Sequence, residues 1–229
     1  MKYMGFKNRI AKEILPIILK NRKEGQFYVE PFVGGANTID KVEGNRIGAD
    51  TNYYLIKMYQ ACCDGWLPSS DYTEEQYKEV REKKDNYPPE LVGYFGFALS
   101  YGGKWFGGWR RDSLGKRNYT LEAQKNAIKQ FPKLQSVKFI CCSYENLKIP
   151  TNSIVYCDPP YLHATGYKDA FNHESFYEWC RKLKKDGHIV YISEYYMPSD
   201  FSCVWQKEIT SSLTKNTGNK RGVEKLFTL

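Results

Sequence analysis

Ser153-Ile-Val-Tyr-Cys-Asp-Pro-Pro-Tyr161 sets an apolar run directly against Asp158-Pro159-Pro160-Tyr161. The run is rich in β-branched and aromatic residues and reads as a buried strand. Neither proline can donate to a sheet ladder and each presets its φ, so the strand ends where they begin. Asp158 is biased toward an extended conformation by the proline that follows it. The result is a carboxylate, a stiff backbone with free carbonyls and an aromatic ring, all fixed at the carboxyl end of a strand. In open α/β sheets ligands bind at that edge. The plain alternative is a strand that ends in a proline turn with a solvated Asp.

Working outward, three further junctions lie upstream. Gln26-Phe-Tyr-Val-Glu30-Pro-Phe32-Val-Gly34-Gly35-Ala36-Asn37 reads as a strand, a glycine turn and a helix whose N-terminus offers free N–H groups. Arg46-Ile-Gly-Ala-Asp50 is a short strand closing on an acid, with a helix after it. In nucleotide-type α/β sites such an acid binds ribose hydroxyls; as a helix N-cap it would be equally at home. Ser136 to Tyr144 is a third strand of the same set. Downstream, Phe171 to Leu183 reads as an amphipathic helix and Gly187 to Tyr195 as a strand. Val204 to Leu213 and Val223 to Leu229 are the closing strands, joined by a basic turn, Lys215 to Arg221.

The chain has 229 residues and a formal net charge of +8, which favours a polyanionic partner but is also met in merely soluble basic proteins. Its seven cysteines include the adjacent pairs Cys62-Cys63 and Cys141-Cys142, which cannot chelate as a C-x-x-C knuckle does. They read as reduced residues of a cytosolic protein, and no metal site is expected. Ile14 to Leu19, broken by Pro16 and flanked by charges, is neither a signal peptide nor a membrane span.

Asp-Pro-Pro-Tyr resembles the motif of amino-group methyltransferases acting on nucleic-acid bases, and the resemblance extends in order along nearly the whole chain. It implies S-adenosylmethionine as methyl donor and N6 of a flipped adenine in duplex DNA as target. Asp158 and the Pro159 carbonyl would accept the amine's two N–H bonds and concentrate electron density on nitrogen, while Tyr161 stacks on the base. Tyr3 and Lys7 map to the family's N-terminal motif, with Lys7 facing the donor's carboxylate. Glu30, Phe32 and Gly34 map to its cofactor loop, Asp50 to its ribose acid, and Tyr144 to the aromatic beside the donor's adenine, with Asp158 also near the cofactor. Ser143 stands where the family usually has an acid, and Ala36 where many members keep a glycine. Cytosine N4, RNA adenine, and a DNA-occluding protein without catalysis stay open as alternatives. His163 is tempting as an acid/base, but the chemistry needs none.

The implied fold is α/β, a Rossmann-like doubly wound sheet with a small, mostly helical target-recognition domain inserted. The catalytic part would comprise residues 1–65 and 135–229, and the insert residues 66–134. Within the insert, Thr73 to Asp85 is a helix opened by a Thr…Gln capping box, and Leu91 to Leu99 a buried helix. Leu121 to Phe131 is an amphipathic helix returning to the sheet. Between them, Lys104, Trp105, Trp109, Arg110, Arg111, Lys116 and Arg117 suit a loop that grips phosphates with aromatics at hand. The competing reading is an exposed glycine-rich loop whose tryptophans plug the core. Double-stranded DNA is the expected partner, with no membrane and no obligate protein partner. A monomer in the cytoplasm of a bacterial or phage-infected cell is the expected setting.

Overall fold

A computed structural model describes residues 1, 3–5, 7–112, 114–161, 171–210 and 221–229. Among them, seven strands form one sheet: β1 (Tyr28–Glu30), β2 (Arg46–Asp50), β3 (Val137–Cys141), β4 (Ile154–Cys157), β5 (Ile189–Glu194), β6 (Ser202–Thr210) and β7 (Arg221–Thr228). Their order is β3-β2-β1-β4-β5-β7-β6. The first five are mutually parallel, and β7 runs antiparallel to both β5 and β6. The order reverses between β1 and β4, the switch point where doubly wound sheets bind their ligands. Fold class and strand positions agree with the sequence reading.

Side-chain alternation assigns the layers. Tyr28, Ile154, Tyr156 and Leu226 belong to one buried cluster, while their neighbours Val29, Val155, Cys157 and Phe227 belong to the other. Helices α1 (Ala11–Ile18), α2 (Tyr53–Cys63), α4 (Pro89–Phe97) and α5 (Tyr119–Gln130) contribute to the first cluster, and α6 (His173–Lys185) to the second. Ile14, Leu55 and Phe176 are each 0% exposed, and each stabilises the fold by roughly 1.5–3 kcal/mol through burial. Helix starts follow side-chain chemistry. Asn52, Asn118 and Asn172 each accept a backbone N–H three residues on, and Thr73 and Gln76 complete the expected capping box of α3 (Glu74–Glu82).

Residues 66–134 do not stand apart from the sheet's core. Tyr77, Val80, Val92, Tyr94 and Phe95 lie in the same cluster as α1 and α2. Helix α4 crosses α2 so closely that a Cβ added at Gly93 would lie 2.2 Å from the Tyr54 carbonyl oxygen.

One expected element is absent among the described residues. The glycine turn after β1 leads not into a regular helix but into a single 3-10 turn, Ile39–Lys41. Only residues 37–45 separate that turn from β2, and Gly44, at φ 74°, bends the chain inside them. All seven cysteines are free thiols, with Cys141 and Cys203 exposed on the two edge strands. Among the described residues no helix is long and apolar enough to cross a membrane.

Candidate active site

Asp158 leaves the carboxyl end of β4 beside the switch point. Its side chain is 23% exposed, and Lys7 Nζ lies 3.2 Å from its Oδ1. Burial raises the Asp158 pKa to about 6; Lys7 opposes that shift, and the nearby Glu224 carboxylate adds to it. The same ammonium sits 3.3 Å from Glu224 Oε2 and 4.3 Å from the centre of the Tyr161 ring. Burial alone would lower the Lys7 pKa, but the two carboxylates outweigh it and hold it above its ordinary value. Tyr161 donates its hydroxyl hydrogen to Glu224 Oε2 at 2.8 Å and meets Tyr195 edge-on at 4.7 Å. Pro159, between Asp158 and this ring, is buried. The arrangement offers an anionic acceptor at neutral pH, with an aromatic plate held three residues away.

Along the same edge, Asp50 closes β2. Its Oδ2 accepts the Gly34 N–H at 3.2 Å and its Oδ1 the Asn52 N–H at 2.9 Å. Burial raises its pKa, while these backbone donors favour the anion. The helix N-cap is Asn52 and not Asp50, so Asp50 is left to tie the end of β2 to the glycine turn. Tyr59 donates to the Gly34 carbonyl at 2.7 Å, and Tyr3 covers the turn so closely that a Cβ on Gly34 would lie 2.9 Å from its ring. Ala36 adopts φ 52°, a conformation that glycine takes without strain. On the other side, Phe32 and Tyr144 lie 5.4 Å apart within an aromatic group containing Phe171 and Phe176. The Ser143 Oγ there is buried without a hydrogen-bond partner among the described residues. A carboxylate at a strand end, a glycine turn, aromatic rings and an unpartnered hydroxyl fit a nucleoside-bearing cofactor such as S-adenosylmethionine. Asp50 and Gly34 would hold its ribose end, Phe32 and Tyr144 its ring, and Tyr3 and Lys7 its amino-acid end.

The comparisons with known proteins bear on this arrangement. The D12 class N6 adenine-specific DNA methyltransferase family matches residues 3–98 and 108–218. The chain belongs to that family. It is also 25% identical over 207 residues to the type II methyltransferase M.FokI of Planomicrobium okeanokoites, an alignment covering 79% of this chain and 31% of M.FokI. The chain thus spans about a third of the length of that curated relative. Among solved structures, the Escherichia coli protein yhhF, a proposed methyltransferase, aligns at 11% identity with a TM-score of 0.40. That alignment covers 99% of this chain and 87% of the other.

In this D12 chain Glu30 is sited differently from the other loop residues. It is 2% exposed and accepts the Tyr28 hydroxyl at 2.8 Å, inside the protein instead of on the open edge. Burial raises its pKa to about 8, so it carries a proton at neutral pH.

The basic loop is divided. Lys104, Arg111, Lys116 and Arg117 are exposed, and Arg111 and Arg117 pair with Glu74 and Glu122. Arg110 is only 8% exposed, lies 4.2 Å over the Tyr119 ring and reaches Glu122 at 3.8 Å. Trp105 stacks on Tyr54 at 5.6 Å and packs against Phe97 at 4.9 Å, so close to α4 that a Cβ on Gly96 would overlap its ring. Trp109 packs on Tyr77 at 5.6 Å. Trp109 is half-buried against the core, whereas Trp105, despite these contacts, keeps 36% of its surface exposed.

Sequence reading missed Glu224 and Tyr195. Glu224 carried a signal: in Val223-Glu-Lys-Leu-Phe227 it shares a strand face with Leu226, where an apolar residue is expected. His163 and most of the Lys215–Arg221 turn lie outside the described residues.

Proposed function

We propose that this D12 family chain transfers a methyl group to N6 of adenine in duplex DNA, with S-adenosylmethionine as donor. One observation carries the reading: at the carboxyl end of β4, beside the switch point, Asp158 presents a partly exposed carboxylate next to Pro159 and the anchored Tyr161 ring. The exocyclic amine of adenine is a poor nucleophile because its lone pair is delocalised into the ring. Asp158 and the Pro159 carbonyl accept its two N–H bonds, which localises density on nitrogen. Tyr161 stacks on the flipped base and fixes it in line for attack. When bound, the cofactor supplies an electrophilic methyl on sulfonium. No base is needed before attack, since the amine becomes strongly acidic only once methylated.

Residues 66–134 act as the target-recognition part, with Lys104, Arg111, Lys116 and Arg117 toward phosphate. Arg110, Trp105 and Trp109 hold the loop's shape. The protein works in the cytoplasm and uses no metal. The test is to incubate the chain with methyl-labelled donor and unmethylated duplex DNA, then digest to nucleosides. Label in N6-methyladenine is expected. Label in N4-methylcytosine would move the target base, label only with RNA would move the substrate, and no label with DNA bound would remove the catalytic reading.

A further inference from the structure

We propose that Glu224 is a positioning residue for methyl transfer, fixing the Tyr161 ring through the hydroxyl; this rests on the reading of Asp158 to Tyr161 as the transfer site. Strand β7 runs antiparallel to β5, so its early residues reach the sheet edge at which the parallel strands end. Glu224 thereby arrives beside Asp158 from the far end of the chain, beyond residue 218, where the family match stops. Glu224 is 6% exposed, whereas Leu226, on the same face, is 0% exposed and apolar. A carboxylate at such a position costs desolvation that a leucine would not.

Two contacts offset that cost. Oε2 accepts the Tyr161 hydroxyl at 2.8 Å and lies 3.3 Å from Lys7 Nζ. A hydrogen bond to an ionised acceptor is stronger than a neutral one. Tyr161 stands at the open end of a proline turn, where the strand ladder no longer constrains it. The Glu224 bond fixes the far end of the ring, Tyr195 packs edge-on, and Lys7 lies over the ring. The plate that receives the base is thus held in one orientation before the base arrives, with a direct gain in the geometry of attack.

The experiment measures kcat and KM for the full chain with methyl-labelled donor and unmethylated plasmid DNA. Glu224→Ala is expected to lower kcat by about 100-fold while the donor KM stays within about threefold. Glu224→Gln keeps an amide oxygen for the hydroxyl and stays within about tenfold of the parent. Tyr161→Phe also lowers kcat, and the double variant loses clearly less than the product of the two single losses, because both changes remove the Glu224–Tyr161 bond. Parental kcat in Glu224→Ala, equal loss in Ala and Gln variants, or additive loss in the double variant overturns the proposal. Should Glu224→Ala fail to fold, Tyr161→Phe with and without Glu224→Gln decides: equal kcat supports the proposal and a further fall overturns it. A parent chain that transfers no methyl group would instead overturn the underlying reading.

Discussion

Asp158 works against its own burial. Its carboxyl titrates at about 6, and only the anion accepts N–H bonds on both oxygens. The groups facing it are Lys7 from the N-terminal segment, Glu224 from β7, Glu30 from β1, Tyr156 from β4 itself, and Tyr161 and Tyr195. kcat/KM is therefore expected to fall as pH drops through about 6 and to level off above it. A profile flat between pH 5 and 7 would remove Asp158 as the acceptor. Glu30 shows the opposite sense on stability. Its carboxyl is protonated in the folded chain up to about 8 and ionises near 4.5 when unfolded. Its stabilising contribution is complete below the unfolded value and is lost as pH rises through the folded one, a change of a few kcal/mol. Glu30→Gln removes that titration, so its Tm is expected to gain on the parent between pH 5 and 8; parallel curves would contradict the assignment. The placement of Asp158, Tyr161 and Asp50 at the ends of β4 and β2 was legible because proline and glycine punctuate those strand ends. Glu30 was not, since a motif position gives no sign of which way a side chain turns. The Tyr161–Glu224 bond spans 63 residues and depends on the β7 register, which no local pattern encodes.

Among the elements, α2 and α4 cross at close range in the first layer. Gly93→Ala would place its Cβ against the Tyr54 carbonyl at 2.2 Å, an overlap with backbone that cannot be relieved by a rotamer change. The helices must move apart, at a cost of about 2 kcal/mol or more. Denaturant unfolding is the measurement, and an unchanged midpoint would mean that the helices do not cross so closely. The strands and the longer helices were readable from apolar runs, caps and glycine stops. The missing helix after β1 was not, because the glycine turn looks the same whether a full helix or one 3-10 turn follows it. The tryptophans of the basic loop were ambiguous for a similar reason. Composition puts aromatics and cations together, but only the fold shows that Arg110 is buried over Tyr119 while Trp105, packed against Gly96, stays partly exposed.

Over the whole molecule, the net charge of +8 predicts a strong salt dependence for the proposed DNA association, with the exposed lysines of the basic loop as the proposed phosphate contacts. Lys104 and Lys116 are exposed. Changing either to Ala is expected to weaken binding to all duplexes and to reduce the salt slope by about 1. Arg110→Ala, in contrast, should lower Tm and leave the slope unchanged, since that side chain is buried. Identical slopes in all three variants would take the loop out of the interface. In the proposed reaction the donor and base sites would lie side by side along one edge of the sheet, from Asp50 through Gly34 to Asp158 and Glu224. The central claim is that Asp158 is where the target amine is activated. Single-turnover methyl transfer by Asp158→Ala, at saturating donor and DNA, tests it most directly. The account predicts a loss of roughly 1,000-fold or more with DNA still bound. A rate within a few-fold of the parent chain would contradict it.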